Sequence, residues 1–218
     1  MNYEILANIP LFDYISESEI LKLTECMSAS RKAYRKGDII FLNGNILDVI
    51  GIVISGSVLI SATDITDNVC VMSVVKAGDI FGENYSLLPK TPLAVDITAN
   101  ENCDIIFLRT DKLFNPCSKA CSSHSIFLKN LIVSAARKNI ALTNRMCDIS
   151  PKSIRGRVMS YLTRETEKCN SKTITIPFNR LQLAEYLNLD RSALSKELSR
   201  MKADGLIDYS KNKFTVKF

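Results

Sequence analysis

Histidine occurs once in this chain of 218 residues, at position 124. A β-rich protein that holds iron or another metal on its strands needs two or more imidazoles and a carboxylate. A metal centre of that kind has too few ligands here, and haem sensing has little support, because the single histidine, His124, lies outside the β-rich part of the sequence. No Gly-x-Ser-x-Gly, no P-loop and no Cys/His pair at catalytic spacing occurs. These gaps weigh against an enzyme; no catalytic residue, metal ligand or cofactor is assigned. Long hydrophobic runs are missing too. The most apolar stretch, Val49 to Ile60, is too short to cross a bilayer and is broken by Gly51, Ser55, Gly56 and Ser57. No basic N-terminus precedes an apolar segment, so the expectation is a cytoplasmic protein with no signal peptide and no membrane partner. Low-complexity tracts and long charge runs are absent as well.

What is present is ordinary in amount and uneven in placement. Apolar residues make up 46% of the chain and charged residues 23%, as in a typical globular protein, and the length allows two modest domains. Residues 148–218 hold 14 Lys/Arg against 8 Asp/Glu, whereas residues 1–147 hold 14 against 15. The net charge of +5 is therefore concentrated in the last third, where a nucleic-acid-binding module would need it. The seven cysteines, Cys26, Cys70, Cys103, Cys117, Cys121, Cys147 and Cys169, are odd in number and scattered, which suits reduced thiols in a cytoplasmic protein.

The basic third contains two helical patterns. Leu181, Ala184 and Leu187 recur at helical spacing after Asn179, which can cap with Gln182 in an Asn/Gln version of the capping box. Asp190 then starts a second helix with Leu194, Leu198 and Met201 on one face. Its other face carries Arg191, Ser192, Ser195, Lys196, Ser199 and Arg200. A short turn between two such helices fits a helix-turn-helix, although a plain surface hairpin of helices shows the same pattern. The flanks decide between them. Gly205 can close the second helix, and residues 206–218 alternate as a β-hairpin with Lys211 and Lys213 at its tip. A helix-turn-helix followed by a basic hairpin is a winged helix, and double-stranded DNA is the expected partner.

Residues 1–30 read as short helices, with Ile5, Ile9, Leu11 and Phe12 leading into a helical stretch from Ser16 to Met27. From Ala33 to Leu108, β-branched runs alternate with glycine turns, which indicates an antiparallel β unit: a barrel, a jelly roll or a sandwich. The β pattern stops around Asn115-Pro116. A stretch from Ser122 to Cys147, free of Gly and Pro, then predicts a helix about 38 Å long. Two heptad rows run along it, Ile126, Val133, Ile140 and Cys147 beside Leu128, Ala135 and Leu142. Rows this wide suggest one side packed on the β unit and the other on a second copy of the chain. Asp148 to Pro151 breaks the helix; Ser150 as N-cap and Pro151 at the first helical position predict a hinge there. The expected domains are residues 1–115, 116–147 and 148–218.

This order resembles the CRP/FNR family of bacterial transcription regulators over essentially the whole chain. Ser55-Gly56-Ser57-Val58 is similar to the family's GxV turn, and Lys76-Ala77-Gly78-Asp79-Ile80-Phe81-Gly82-Glu83 to its GDxxGE segment. Leu189 to Lys196 stands where its recognition helix begins. The resemblance implies an α+β fold: an N-terminal antiparallel β-roll like a cyclic-nucleotide-binding domain, a long dimerisation helix and a C-terminal winged helix-turn-helix. It also implies a homodimer on a palindromic operator, RNA polymerase as a partner, and a small effector in the roll. Gly82, Glu83, Tyr85, Leu93 and Ala94 are the candidate effector residues. In cyclic-nucleotide-binding members the positions of Leu93 and Ala94 are an Arg and a Ser or Thr that grip the phosphate. Both are missing here, so the expected effector is not cAMP or cGMP, and an apolar or aromatic ligand or a filled roll remain as alternatives. Restoring Arg at 93 and Ser at 94 is expected to improve cyclic-nucleotide binding if the pocket geometry survives.

At the recognition helix the resemblance assigns Arg191 and Lys196 to guanine, and Ser192 and Ser195 to base or phosphate. Ser192 replaces the family's Glu, so the half-site is expected to depart from the common TGTGA and TTGAT types. Arg180, Arg200, Lys211 and Lys213 are assigned to phosphates. An iron–sulfur branch of the family needs four converging thiolates, usually three of them near the N-terminus; only Cys26 lies in the first 69 residues. Cys117-x3-Cys121, with Cys103 not far away, could form a reversible thiol switch, although small apolar filling is the commoner role. The alternatives are an effector-independent or cysteine-redox-responsive DNA-binding regulator and, more weakly, a cupin-like metalloenzyme.

Overall fold

The computed structural model describes residues 4–63, 69–88, 90–114 and 122–217. The chain divides into two compact units, residues 1–135 and 136–218. The first begins with two 3-10 turns, Glu4–Asn8 and Pro10–Phe12, and helix α1, Glu17–Cys26. Ser16 starts α1 with a capping box in which its amide donates to the Glu19 carboxylate at 3.1 Å. Eight strands follow: β1 Ser30–Tyr34, β2 Ile39–Phe41, β3 Val49–Ser55, β4 Ser57–Thr63, β5 Val69–Lys76, β6 Ile80–Phe81, β7 Asp96–Ala99 and β8 Cys103–Arg109. One-turn helices α2, Glu83–Ser86, and α3, Asp111–Phe114, sit among and after them.

The strands form two antiparallel sheets, ordered β1-β8-β3-β6 and β2-β7-β4-β5. Val53, Val58, Val75, Phe81, Ile97, Ile105 and Phe107, drawn from both sheets, make one core. The alternate residues of β3 and β8 (Ile50, Ile52, Ile106, Leu108) make another with Leu6, Phe12, Ile20, Leu23 and Met27. Strands β3 and β8 are thus buried on both faces, which is why they read as unbroken apolar runs rather than alternating ones. Phe81 pairs with Gly51 across β3 and β6, and its ring lies on the glycine backbone. A Cβ at Gly51 would stand 2.2 Å from the ring Cζ. Gly51→Ala is therefore expected to destabilise the roll by about 1–3 kcal/mol, read from urea unfolding. Gly56, in the tight turn between β3 and β4, has φ +74°, and a Cβ there would meet the Asn102 carbonyl oxygen at 2.3 Å.

Helix α4, Ser122–Ile149, is about 42 Å long, and the division between the units falls inside it. Its buried apolar residues in the first unit are Phe127 and Leu131, which lie between the two heptad rows rather than on them; Ser123 and His124 are buried as well. Ile126 and Leu128 are only partly buried against that core, while Val133, Ile140, Leu142 and Cys147 are exposed, Ile140 at 61% and Leu142 at 62%.

The second unit adds α5 Ile154–Cys169, β9 Thr173–Thr175, α6 Arg180–Tyr186, α7 Arg191–Ala203, β10 Ile207–Ser210 and β11 Lys213–Val216. Its sheet is ordered β10-β11-β9 and antiparallel. Val158, Tyr161, Leu162, Leu183, Leu187, Leu194, Leu198, Met201, Ile207 and Phe214 form its core. Two local expectations are corrected. Helix α5 starts from Ser153, whose hydroxyl accepts from the Gly156 amide at 3.0 Å, and not from Ser150. Pro151 lies outside the helix against Gly156, where a Cβ would come within 2.8 Å of the Pro151 Cβ. The apolar face of α6 is Leu183, Ala184 and Leu187; Leu181 is 50% exposed.

Candidate nucleic-acid interface

Helices α6 and α7 are set by their caps. The Asn179 side chain accepts from the Gln182 amide at 3.0 Å, and the Gln182 side chain accepts from the Asn179 amide at 2.9 Å. Asn188, in the left-handed conformation at φ 52°, ends α6 and turns the chain toward α7. The Asp190 carboxylate accepts from the Ala193 amide at 2.8 Å and from the Ser192 hydroxyl at 2.5 Å. These donors hold the Asp190 carboxyl below its ordinary range. Helix α7 closes at Gly205, φ +75°, where the Leu206 amide donates to the Met201 carbonyl at 3.0 Å.

With Leu194, Leu198 and Met201 buried, the opposite face of α7 is open: Arg191, Ser192, Lys196, Ser199 and Arg200 are exposed and Ser195 is half-buried. The Ser192 hydroxyl proton is taken by Asp190, and Ser195 and Ser199 donate to the carbonyls four residues earlier, Arg191 and Ser195. The three serine hydroxyls thus have partners within the protein, Ser199 also lying 3.4 Å from the Tyr209 hydroxyl, while Arg191 and Lys196 supply charge. Arg200 is 3.7 Å from Glu197 and largely solvent-exposed.

Strands β10 and β11 form the wing, with Lys211 and Asn212 at its tip and Lys211 at φ 52°. Lys211 and Lys213 are exposed. Arg180 occupies a different place from theirs. Its guanidinium lies 5.0 Å from the Tyr209 ring centre and 5.5 Å from that of Phe214, and donates to the Lys211 carbonyl at 3.3 Å. Burial lowers its pKa. Arg180 thus fastens the wing to the start of α6, a job its sequence position did not announce. Arg155 joins α5 to α7 through Glu197 and Asp204, each at 2.7 Å.

Sequence reasoning missed a buried polar cluster behind this surface. Asp148, near the end of α4, has no exposed surface. Its carboxylate accepts from Arg164 at 2.6 Å, the Tyr186 hydroxyl at 2.9 Å and Ser160 at 3.2 Å. The available signal was a carboxylate in the last turn of a helix, where the helix dipole disfavours it. Burial, with the adjacent Asp148 carboxylate, pushes the Tyr186 phenol up to about 12 from an ordinary 10. A raised pKa favours the folded state fully below pH 10, and that contribution is lost as pH rises toward 12. The expected result is an alkaline loss of stability across that window, accompanied by late tyrosinate absorbance, both reduced in Tyr186→Phe.

In the roll, Gly82 at φ +81° turns the chain into α2, with Glu83 buried at its first position and Tyr85 partly buried against the roll core. Leu93 is 2% exposed within that core, while Ala94 is exposed. Cys103 is buried, and desolvation with nearby Asp104 and Glu101 raises its thiol pKa, the opposite of what a reactive thiolate needs. Cys117 and Cys121, and the Asn115-Pro116 break, lie outside the described residues. Among the described residues, no group of three or more His, Cys, Asp or Glu could hold a metal, and no helix is long and apolar enough to cross a membrane.

Residues 31–119 match the cyclic nucleotide-binding domain model and residues 156–217 the Crp-like helix-turn-helix domain model. No curated protein matches the sequence. Solved structures with the same fold include the catabolite activator protein of Thermus thermophilus, 18% identical over 95% of this chain and 93% of that one, with a TM-score of 0.50. The c-di-GMP-responsive global regulator CLP of Xanthomonas campestris is 17% identical over 93% and 100%, with a TM-score of 0.57. The sensor domain of the regulator DNR of Pseudomonas aeruginosa is 16% identical over 69% and 95%, with a TM-score of 0.51. With both domain models matched in this order on the fold just described, the chain belongs to the CRP/FNR family of transcription regulators, a cyclic nucleotide-binding domain followed by a DNA-binding helix-turn-helix.

Proposed function

We propose that the protein is a homodimeric, sequence-specific regulator that reads a palindromic operator with α7 and responds to a small effector other than cAMP. The observation that carries the DNA-binding part is the open face of α7, with Arg191 and Lys196 exposed, together with the exposed basic wing tip. Arg191 and Lys196 suit guanine; Arg200, Lys211 and Lys213 suit phosphates. The exposed Val133, Ile140 and Cys147 of α4 repeat every seven residues and suit a parallel pairing of two copies. A two-fold dimer presents two recognition helices to half-sites about 34 Å apart. RNA polymerase as a partner, a cytoplasmic location and the absence of enzymatic activity follow from the same reading, as does a division of labour among residues 1–115, 116–147 and 148–218. Burial of Leu93 in the roll core favours a second reading, in which the roll takes no effector and DNA binding is constitutive.

Selection of genomic fragments by the purified protein tests this directly. A recovered palindrome supports the dimeric regulator, and its recovery without additions favours the constitutive form. Binding that is sequence-indifferent and salt-sensitive under every effector tried overturns specific regulation. Arg191→Ala is expected to cost about 1–3 kcal/mol at the recovered site and to relax selection at one base pair. An equal loss on random DNA would make Arg191 a phosphate contact only.

A further inference from the structure

Helix α6 ends in a turn where the Glu185 carbonyl accepts from the Asn188 amide at 3.2 Å, and two arginines from neighbouring helices add donors to the carbonyls of this end. Arg145 of α4 donates to the carbonyls of Tyr186 at 3.1 Å and Glu185 at 3.3 Å. Arg157 of α5 donates to those of Leu187 at 3.2 Å and Asn188 at 3.0 Å, and also to Pro151 at 2.9 Å. Cations at the negative end of a helix are favourably placed. Tyr186 is held a second time through its side chain, by Asp148 at 2.9 Å and Arg164 at 3.3 Å, with the Arg145 guanidinium 5.7 Å from its ring centre. Its ring also packs against Tyr161 and Phe178.

The geometry points to Arg145 and Tyr186 as positioning residues for DNA recognition: through them the last turns of α4 carry the helix-turn-helix as one body. The break at Asp148 to Pro151 that sequence suggested as a hinge is fastened at both ends, Asp148 by Ser160, Arg164 and Tyr186 and the Pro151 carbonyl by Arg157. A change in the pose of α4 therefore reaches α7 through the end of α6 without being absorbed at the break. Arg145 does this by touching α6 and not DNA, so it contributes to affinity without releasing a counterion. The effect on affinity rests on the proposed two-fold dimer, because spacing matters only when two recognition helices are joined.

The test uses the full chain with Arg145→Ala and, as a milder change that removes one hydroxyl, Tyr186→Phe. Ketone-linked spin labels at the exposed positions Ala141 on α4 and Leu181 on α6, diluted with unlabelled protein, report how firmly the two helices are joined. A single narrow distance that broadens in both variants is expected. On the duplex most enriched from genomic fragments, affinity is expected to fall about 2- to 30-fold, the span seen for mutations along a packed network. The slope of log affinity against log salt stays at its wild-type value. An unchanged distance distribution overturns the positioning role, and a slope smaller by about one makes Arg145 a phosphate ligand instead. If no duplex is enriched, the operator reading fails while the distance measurement still decides this one.

Discussion

Leu93→Arg combined with Ala94→Ser, which restores the family's phosphate-gripping pair, is expected to destabilise the roll rather than confer cyclic-nucleotide binding. Leu93 is 2% exposed and belongs to the same core as Phe81, Ile97 and Phe107. Its backbone is pinned on both sides: its amide donates to Asn45 and its carbonyl accepts from Gly44, each at 2.8 Å. An arginine here places a cation inside an apolar cluster, and an uncompensated buried charge costs about 3–5 kcal/mol. The chain contains no tryptophan, so unfolding is best followed by circular dichroism, alongside calorimetry with cAMP and cGMP. A lower unfolding midpoint with no binding heat is the expected result. A stable variant that binds either nucleotide would mean that the roll opens around an anion. The effector search would then turn to negatively charged ligands.

Leu93 also marks where sequence reading stopped. The missing Arg and Ser were visible as a departure from a motif, but whether Leu93 lines a pocket or fills a core depends on Phe81, Ile97 and Phe107, which come from three different strands. Local chemistry was legible throughout the DNA-binding unit. Asn179 with Gln182, Asp190 and Gly205 do what their residue types predict, because caps and turns are decided within four residues. Faces were harder. The heptad rows of α4 drew attention to its apolar residues, yet the pair that enters the core is Phe127 and Leu131, since a helix with apolar residues on most sides does not declare which side is covered. Leu181 misled for a similar reason. It fits helical spacing with Ala184 and Leu187, while Leu183 takes the buried position. The role of Arg180 was beyond reach, and Asp148 showed only as a carboxylate in the last turn of a helix, with nothing local to name its partners. Their partners lie 29 or more residues from Arg180 (Tyr209, Lys211, Phe214) and 12 to 38 residues from Asp148 (Ser160, Arg164, Tyr186).

Asp148→Ala is the second substitution with a large expected effect, and its size follows from what it leaves behind. The carboxylate is wholly buried and accepts from three side chains, so the mutation strands the Arg164 guanidinium, whose side chain is 25% exposed, together with the Tyr186 hydroxyl. Removing one partner of a buried ion pair costs about 3–5 kcal/mol, more than the pair contributes relative to apolar residues of similar volume. Arg164 keeps a second partner, Glu165 at 2.6 Å, which places the expected loss toward the lower end. Arg164→Leu in the Asp148→Leu background should then recover most of the stability, because both charges of the buried pair leave together; the residual cost is set by Glu165, 18% exposed, which loses Arg164. Chemical denaturation of the four corners of that cycle measures the coupling. Strong negative coupling, with the double variant close to wild type, is expected if the pair is a device for fixing position rather than for stability. Additive losses would mean that Asp148 and Arg164 contribute independently and that the cluster stabilises the unit outright. The double variant also separates stability from position. If it folds as firmly as wild type yet binds the selected duplex more weakly with an unchanged salt slope, the polar cluster serves the pose of α6, which is what hydrogen bonds from three side chains converging on one buried carboxylate provide and packed leucines do not.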